Sequence, residues 1–110
     1  MTPDAVPSVT AQGVPVDGVL LDVREDDEWA AGHAPQAVHV PMGQVPQRLG
    51  DIPGGGPVHV VCRSGGRSAQ VTAYLNQAGW EAVNVDGGMR AWAAAGRPMA
   101  APSGAAPQVI

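Results

Sequence analysis

Short apolar runs alternate with segments of helical pattern along most of the chain. Residues 19–23, 38–40, 58–61 and 81–85 are compact runs rich in Val and Leu, which predicts short buried strands. A further edge strand is predicted over residues 6–9. The pattern therefore predicts five strands, each too short to be confused with a long helix.

Helices are predicted between these strands. In residues 68–78, Val71, Leu75 and Ala78 recur at i, i+4 and i+7, so they share one face of a helix. Gly79 is placed to close this helix in the left-handed conformation, with Trp80 packing back on Leu75. Two more helices and a helical turn complete the pattern: residues 25–31, 88–95 and 44–49.

Strands that alternate with helices indicate an α/β fold with a mainly parallel sheet. The chain has 110 residues, which suits one domain. We assign this domain to residues 1–98. Residues 99–110 are rich in Ala, Pro, Gly and Ser and are predicted to form a flexible tail.

Composition excludes several classes of protein. The net charge is −4, and the six basic residues, all Arg, are spread along the chain, which disfavours a nucleic-acid partner. The apolar runs are too short to cross a membrane. The first ten residues have no basic region followed by an apolar stretch, so we expect a cytoplasmic location.

The single cysteine, Cys62, leaves two interpretations open. It cannot form an internal disulfide, so it is either a small buried apolar residue or a reactive thiol. It directly follows the predicted strand 58–61 and precedes the predicted helix 68–78. Ligands of open α/β sheets bind beyond the carboxyl ends of the strands, which is where Cys62 is expected to lie.

The loop after Cys62 favours the reactive thiol. Gly65 and Gly66 allow the backbone to curl so that its N–H groups point inward as an anion-binding nest. Arg63 and Arg67 add positive charge, and no acidic residue occurs between Asp51 and Glu81. Nearby cations and a helix N-terminus lower the pKa of a cysteine, and the thiolate is the nucleophile.

Four segments stand out across about residues 19–97. They are Leu20-Leu21-Asp22-Val23-Arg24-Glu25 with Glu28-Trp29; Gly32-His33-Ala34-Pro35-Gln36-Ala37-Val38-His39-Val40-Pro41; Val60-Val61-Cys62-Arg63-Ser64-Gly65-Gly66-Arg67-Ser68; and Gly87-Gly88-Met89-Arg90-Ala91-Trp92. Together these segments resemble the rhodanese domain family, in that family's order. One alone would be weak evidence, but four in order are specific.

The resemblance implies a five-stranded, mainly parallel sheet with helices on both faces. It implies that Cys62 takes a sulfane sulfur from a small anionic donor such as thiosulfate and passes it, as a persulfide, to cyanide or a thiol, including a thiol of a partner protein. It implies no metal and no organic cofactor. The residues expected to bind substrate are Arg63, Ser64, Gly65, Gly66, Arg67 and Ser68.

Two alternatives differ in chemistry. A sulfur-carrier or binding module would use Cys62 with little thiosulfate turnover, but its signature, a lost cysteine or a degraded loop, is absent here. Related phosphatases place five residues between Cys and Arg. Here Arg67 follows Cys62 after only four residues, so the loop suits a sulfur-bearing substrate better than a phosphate.

Other polar residues have mainly structural interpretations. Asp22 and Arg24 are expected to form an ion pair that fixes the loop after a strand. His33, between Gly32 and Pro35, is expected to hold backbone in a turn. The acidic run from Glu25 to Glu28 is expected to be a solvated helix start. Gln36 departs from the family's usual Gly and is expected to affect a turn beside the site.

Overall fold

A computed structural model describes residues 6–110 of the chain. Five strands form one sheet in the order β1-β5-β4-β2-β3, and every strand pair is parallel. The strands are β1 (Ser8–Thr10), β2 (Val19–Asp22), β3 (Val38–His39), β4 (Pro57–Val61) and β5 (Glu81–Asp86). The α/β class and the parallel sheet predicted from the sequence are thus confirmed, and β4 lies in the middle of the sheet.

Within residues 6–110, three α-helices and three short 3₁₀ helices accompany the strands, and the last α-helix follows β5. The α-helices are α1 (Asp26–Ala31), α2 (Gly66–Gln77) and α3 (Gly88–Ala94). The 3₁₀ helices are Ala11–Gly13, Met42–Gln47 and Leu49–Asp51. Residues 44–49, predicted as a helical turn, therefore belong to two 3₁₀ helices, and Pro46 lies inside the first of them.

Each face of the sheet carries its own apolar core. On one face, Val58 and Val60 of β4 pack with Val71 and Leu75 of α2. On the other, Val61, the next residue along β4, packs with residues such as Met89 and Trp92 of α3. This period of two explains why the strand sequences read as continuous apolar runs, since both faces are buried. Helices on both faces are confirmed.

The element boundaries differ from the predicted ones by one or two residues. The edge strand lies at Ser8–Thr10 and pairs with β5. Helix α2 begins at Gly66, two residues earlier than predicted, because Gly65 is its N-cap in the left-handed conformation, with φ of 113°. Gly79 has φ of 105°, and the Trp80 N–H donates to the Leu75 carbonyl oxygen as the predicted cap requires.

The C-terminal segment, residues 99–110, contacts the body of the domain. Ala100 pairs with His33 in an antiparallel bridge, and the Gln108 N–H donates to the Ala31 carbonyl oxygen over 2.8 Å. The Val109 side chain packs on the core that contains Trp92. Over residues 6–110, no helix has the length and apolar character needed to cross a membrane.

Candidate active site

Cys62 lies at the carboxyl end of the central strand. It directly follows β4 and precedes the loop that leads into α2, as the sequence predicted. The residue is buried, with 1% of its surface exposed. A thiol in this place faces the edge of the sheet where ligands of parallel α/β folds bind.

Two donor groups lie within hydrogen-bond distance of the Cys62 sulfur. The Gly65 N–H donates to Sγ over 3.1 Å, and the Ser68 hydroxyl lies 3.3 Å from Sγ. Burial by itself raises the pKa of the Cys62 thiol. The Ser68 hydroxyl and the surrounding main-chain N–H groups outweigh that effect, so the pKa is lowered from its ordinary value. The nucleophilic thiolate therefore forms at lower pH here than in an isolated cysteine.

The first turn of α3 binds the main chain of the cysteine loop. The Met89 N–H donates to the Cys62 carbonyl oxygen over 2.8 Å, and the Arg90 N–H donates to the Arg63 carbonyl oxygen over 3.0 Å. Gly88 makes this approach possible, because a Cβ added there would lie 2.7 Å from the Arg63 carbonyl carbon. The Gly-Gly segment at residues 87–88 therefore packs against the cysteine loop.

Arg67 is not a free cation in this structure. Its Nη1 and Nη2 atoms bind both carboxylate oxygens of Glu28, at 2.7 and 2.9 Å. This bidentate pair lowers the pKa of Glu28 to about 2, chiefly through the hydrogen bonds from Arg67. The expectation of a solvated helix start is thus wrong for Glu28, because the fold carries α1 to the cysteine loop.

The remaining loop residues differ in exposure. Arg63, Ser64 and Gly66 are exposed, whereas Ser68 is buried. The Arg63 Nε donates to the main-chain oxygen of Ile110 over 3.0 Å, which brings the C-terminal segment to the edge of the loop. Within residues 6–110, Arg63 forms no ion pair with an Asp or Glu side chain.

Asp22 and Arg24 form a fully buried ion pair, with Nη2 of Arg24 2.8 Å from Oδ2 of Asp22. The same Nη2 donates to the Gly32 carbonyl oxygen over 2.8 Å, which ties the end of β2 to the end of α1. Within residues 6–110, Nη1 of Arg24 has no hydrogen-bond partner. This geometry fits the predicted structural ion pair.

His33 is fixed by both its main chain and its ring. Its main-chain N–H and carbonyl oxygen pair with Ala100, and its Nδ1 lies 2.9 Å from the Trp29 carbonyl oxygen. The ring stacks on Trp29 with centroids 3.5 Å apart. Beside it, Gln36 causes no backbone strain, since no non-glycine residue in the described range has a positive φ.

Two residues at the site were not assigned to it from the sequence. Glu28 binds Arg67, and Asn84 of β5 lies against Ser68, with its Oδ1 2.6 Å from the Ser68 Oγ. Asn84 is a buried polar residue within an otherwise apolar strand segment, which is a signal that sequence analysis could have used. Among residues 6–110, no cluster of three His, Cys, Asp or Glu side chains could hold a metal ion.

Comparison with known proteins agrees with this geometry. A family model described as a rhodanese-like domain matches residues 8–95. The chain is 46% identical over 79 residues to YtwF of Bacillus subtilis, covering 72% of this chain and 77% of that protein. It is 45% identical over 89 residues to a sulfurtransferase of Allochromatium vinosum, covering 80% and 83%, respectively. A rhodanese-related protein of Thermoplasma volcanium has a crystal structure that matches with a TM-score of 0.80 and 27% identity, covering 86% of this chain and 97% of that one.

Proposed function

The chain belongs to the rhodanese-like domain family, and from this premise we propose that it is a sulfurtransferase in which Cys62 carries the sulfur atom as a persulfide. The main support for the proposal is the position of the Cys62 sulfur at the carboxyl end of the central strand. The Gly65 N–H and the Ser68 hydroxyl lie within hydrogen-bond distance of this sulfur and can stabilise a negative charge on it. The same contacts can hold a persulfide anion.

The first half-reaction loads the cysteine. The Cys62 thiolate attacks the outer sulfur of a donor such as thiosulfate, and a new S–S bond forms. The S–S bond of the donor breaks, and its electron pair leaves with sulfite. Arg63, exposed at the mouth of the loop, attracts the anionic donor. Arg67, held by Glu28, adds a weaker field because the carboxylate offsets its charge.

The second half-reaction unloads the cysteine. A thiolate or cyanide attacks the terminal sulfur of the persulfide, and the electron pair of the broken S–S bond returns to Cys62 as a thiolate. The acceptor is external, because the chain has one cysteine. This is covalent, ping-pong catalysis, and it needs no metal or organic cofactor.

The residues behind the loop act as supports in this proposal. The Asp22–Arg24 pair and His33 fix the chain between β2 and α1, the helix that supplies Glu28. The loop residues from Arg63 to Ser68 supply the substrate contacts. A cytoplasmic location stays a prediction from the sequence.

Mass spectrometry before and after incubation with thiosulfate tests the proposal. The protein should gain one sulfur atom, and Cys62→Ser should gain none. Thiocyanate release with ping-pong kinetics identifies turnover of thiosulfate with cyanide, whereas sulfur uptake without turnover indicates the carrier function. Absence of sulfur uptake from thiosulfate and from a small-molecule persulfide contradicts both, and phosphatase activity that depends on Cys62 would replace them.

A further inference from the structure

The Ser68 hydroxyl has one proton and two neighbouring acceptors. Its Oγ lies 2.6 Å from Oδ1 of Asn84 and 3.3 Å from Sγ of Cys62. A hydroxyl donates a single hydrogen bond, so it cannot serve both acceptors at once. The shorter contact and the carbonyl-type oxygen favour Asn84, since a neutral thiol sulfur is a weak acceptor.

The orientation of the Asn84 amide supports this assignment. Its Nδ2 faces the Gly65 carbonyl oxygen at 3.4 Å. The opposite orientation would place two oxygen acceptors, Oδ1 and the Gly65 carbonyl, against each other, and hydrogen-bond partners are what distinguish the two orientations. Oδ1 of Asn84 therefore points to Ser68. Both side chains are buried, so water does not offer the hydroxyl a ready substitute.

We propose that Asn84 is a positioning residue that disfavours ionisation of the Cys62 thiol. It does so by accepting the hydrogen bond of the Ser68 hydroxyl while the sulfur is protonated. On ionisation, the thiol proton passes to a base in solution, and the Ser68 hydroxyl turns from Oδ1 of Asn84 to the anionic Sγ. No other bond forms or breaks. Ionisation therefore breaks the hydrogen bond from Ser68 to Asn84. The thiolate is for this reason less stable than it would be if Ser68 had no other acceptor.

This inference deepens the proposed function, on which it rests only in taking Cys62 as the reacting group. Two of the charge pairs near the sulfur join Arg67 of α2 to Glu28 of α1 and Arg24 to Asp22 at the end of β2. Arg63 of the loop points to the C-terminal segment. From β5 the neighbour is the uncharged Asn84, so its replacement by an apolar residue changes no charge at the site.

The test is the pH dependence of Cys62 alkylation by iodoacetamide in Asn84→Leu, with Asn84→Ala as a second variant in case the first misfolds. With its competing acceptor removed, the Ser68 hydroxyl is free for Sγ. We expect the alkylation midpoint to move to lower pH and the rate below the midpoint to rise by about 3–10-fold, the value of one ordinary hydrogen bond. An unchanged or higher midpoint in folded variants overturns the proposal.

Two comparisons separate this role from a loss of packing. In a Ser68→Ala background, replacing Asn84 should leave the midpoint unchanged, because the contested proton is gone. Asn76→Leu is the matched control, since Asn76 also links α2 to β5, through two hydrogen bonds to the Ala82 main chain. An equal shift in either comparison overturns the proposal. Alkylation uses no sulfur donor, so it gives a result whether or not the protein transfers sulfur.

Discussion

Glu28 changes the charge of the cysteine loop. The loop sequence contains two arginines and no acid, which suggested a strongly cationic pocket. The fold brings the Glu28 carboxylate onto Arg67, so one of the two positive charges is offset before any donor arrives. The side chain of Glu28 is 12% exposed and that of Arg67 34%, so water weakens this pair only in part.

Glu28→Gln should reduce stability in a pH-dependent way. The pKa of Glu28 is lowered from 4.5 to about 2, so its stabilisation is fully present above about pH 4.5 and is lost as the pH falls through 2. We expect the variant to lose about 1 kcal/mol at pH 7, since water screens the Arg67 side. Urea unfolding of both proteins at pH 7, 4 and 2.5 measures the difference.

The control for Glu28 is Asp51→Asn. Asp51 pairs with Arg48 over 2.9 Å on an exposed surface, and this pair should contribute less. A Glu28→Gln difference that stays constant from pH 7 to pH 2.5 contradicts the expected linkage. Glu28→Gln also leaves Arg67 without its carboxylate partner. The KM of this variant for thiosulfate should therefore fall by a few fold and depend more steeply on salt concentration.

At the scale of elements, the active site is a contact between a loop and the start of a helix. The loop that begins at Cys62 connects β4 to α2. Two main-chain N–H groups of α3 donate to carbonyl oxygens of this loop. Gly88, with φ of 57°, lets α3 begin this close to the loop. The Gly-Gly segment is therefore explained by packing as well as by backbone conformation.

Gly88→Ala should damage both stability and the site. The new Cβ would lie 2.7 Å from the Arg63 carbonyl carbon, so the loop or α3 must move. Gly96→Ala is the matched control, since Gly96 also has a positive φ but nothing within 4 Å. We expect the control to cost about 1–2 kcal/mol and Gly88→Ala about 1–3 kcal/mol more. Urea unfolding and the Cys62 alkylation rate measure the two effects, and equal results for both variants contradict the packing argument.

At the scale of the whole molecule, the C-terminal segment packs beside the cysteine loop. It pairs with His33, passes Gly32 and reaches Arg63. The segment therefore lies over the connection between α1 and β3, beside the loop where the donor is proposed to enter. The mobility predicted for residues 99–110 stays a prediction, and their contacts make it measurable.

Gly32→Ala should release this segment. A Cβ at residue 32 would lie 2.7 Å from the Gln108 nitrogen and 2.9 Å from the Pro107 Cβ. Because φ of Gly32 is 163°, an extended value open to any residue, the cost comes from this contact alone. We expect hydrogen exchange of the Gln108 amide to rise about 10-fold or more, with global stability changed by less than about 1 kcal/mol.

Gly43→Ala, with open space at its Cβ, is the control and should leave exchange unchanged. Fast exchange at Gln108 in the unsubstituted protein would support the predicted mobility instead. Slow exchange that Gly32→Ala does not alter would contradict the docking of residues 107–110 against Gly32.

The sequence by itself determined the order of the elements and the place of the cysteine loop. Apolar runs, the helical spacing of Val71 and Leu75, and the glycines after Cys62 act within a few residues of one another, so the local pattern carries them. The element boundaries moved by only one or two residues, as at Gly66, where a left-handed glycine cap lengthened α2.

Only the tertiary structure decided which side chains meet at the sulfur. Glu28 reaches Arg67 across 39 residues of chain and Asn84 reaches Ser68 across 16. These contacts exist because the sheet places β4 between β5 and β2, which brings the ends of distant strands to one edge. Local patterns specify elements, whereas partners across the sheet depend on strand order and on how both faces pack. The local sequence thus determined which reactive residues the loop contains, and the fold determined its charge balance and its hydrogen-bond partners.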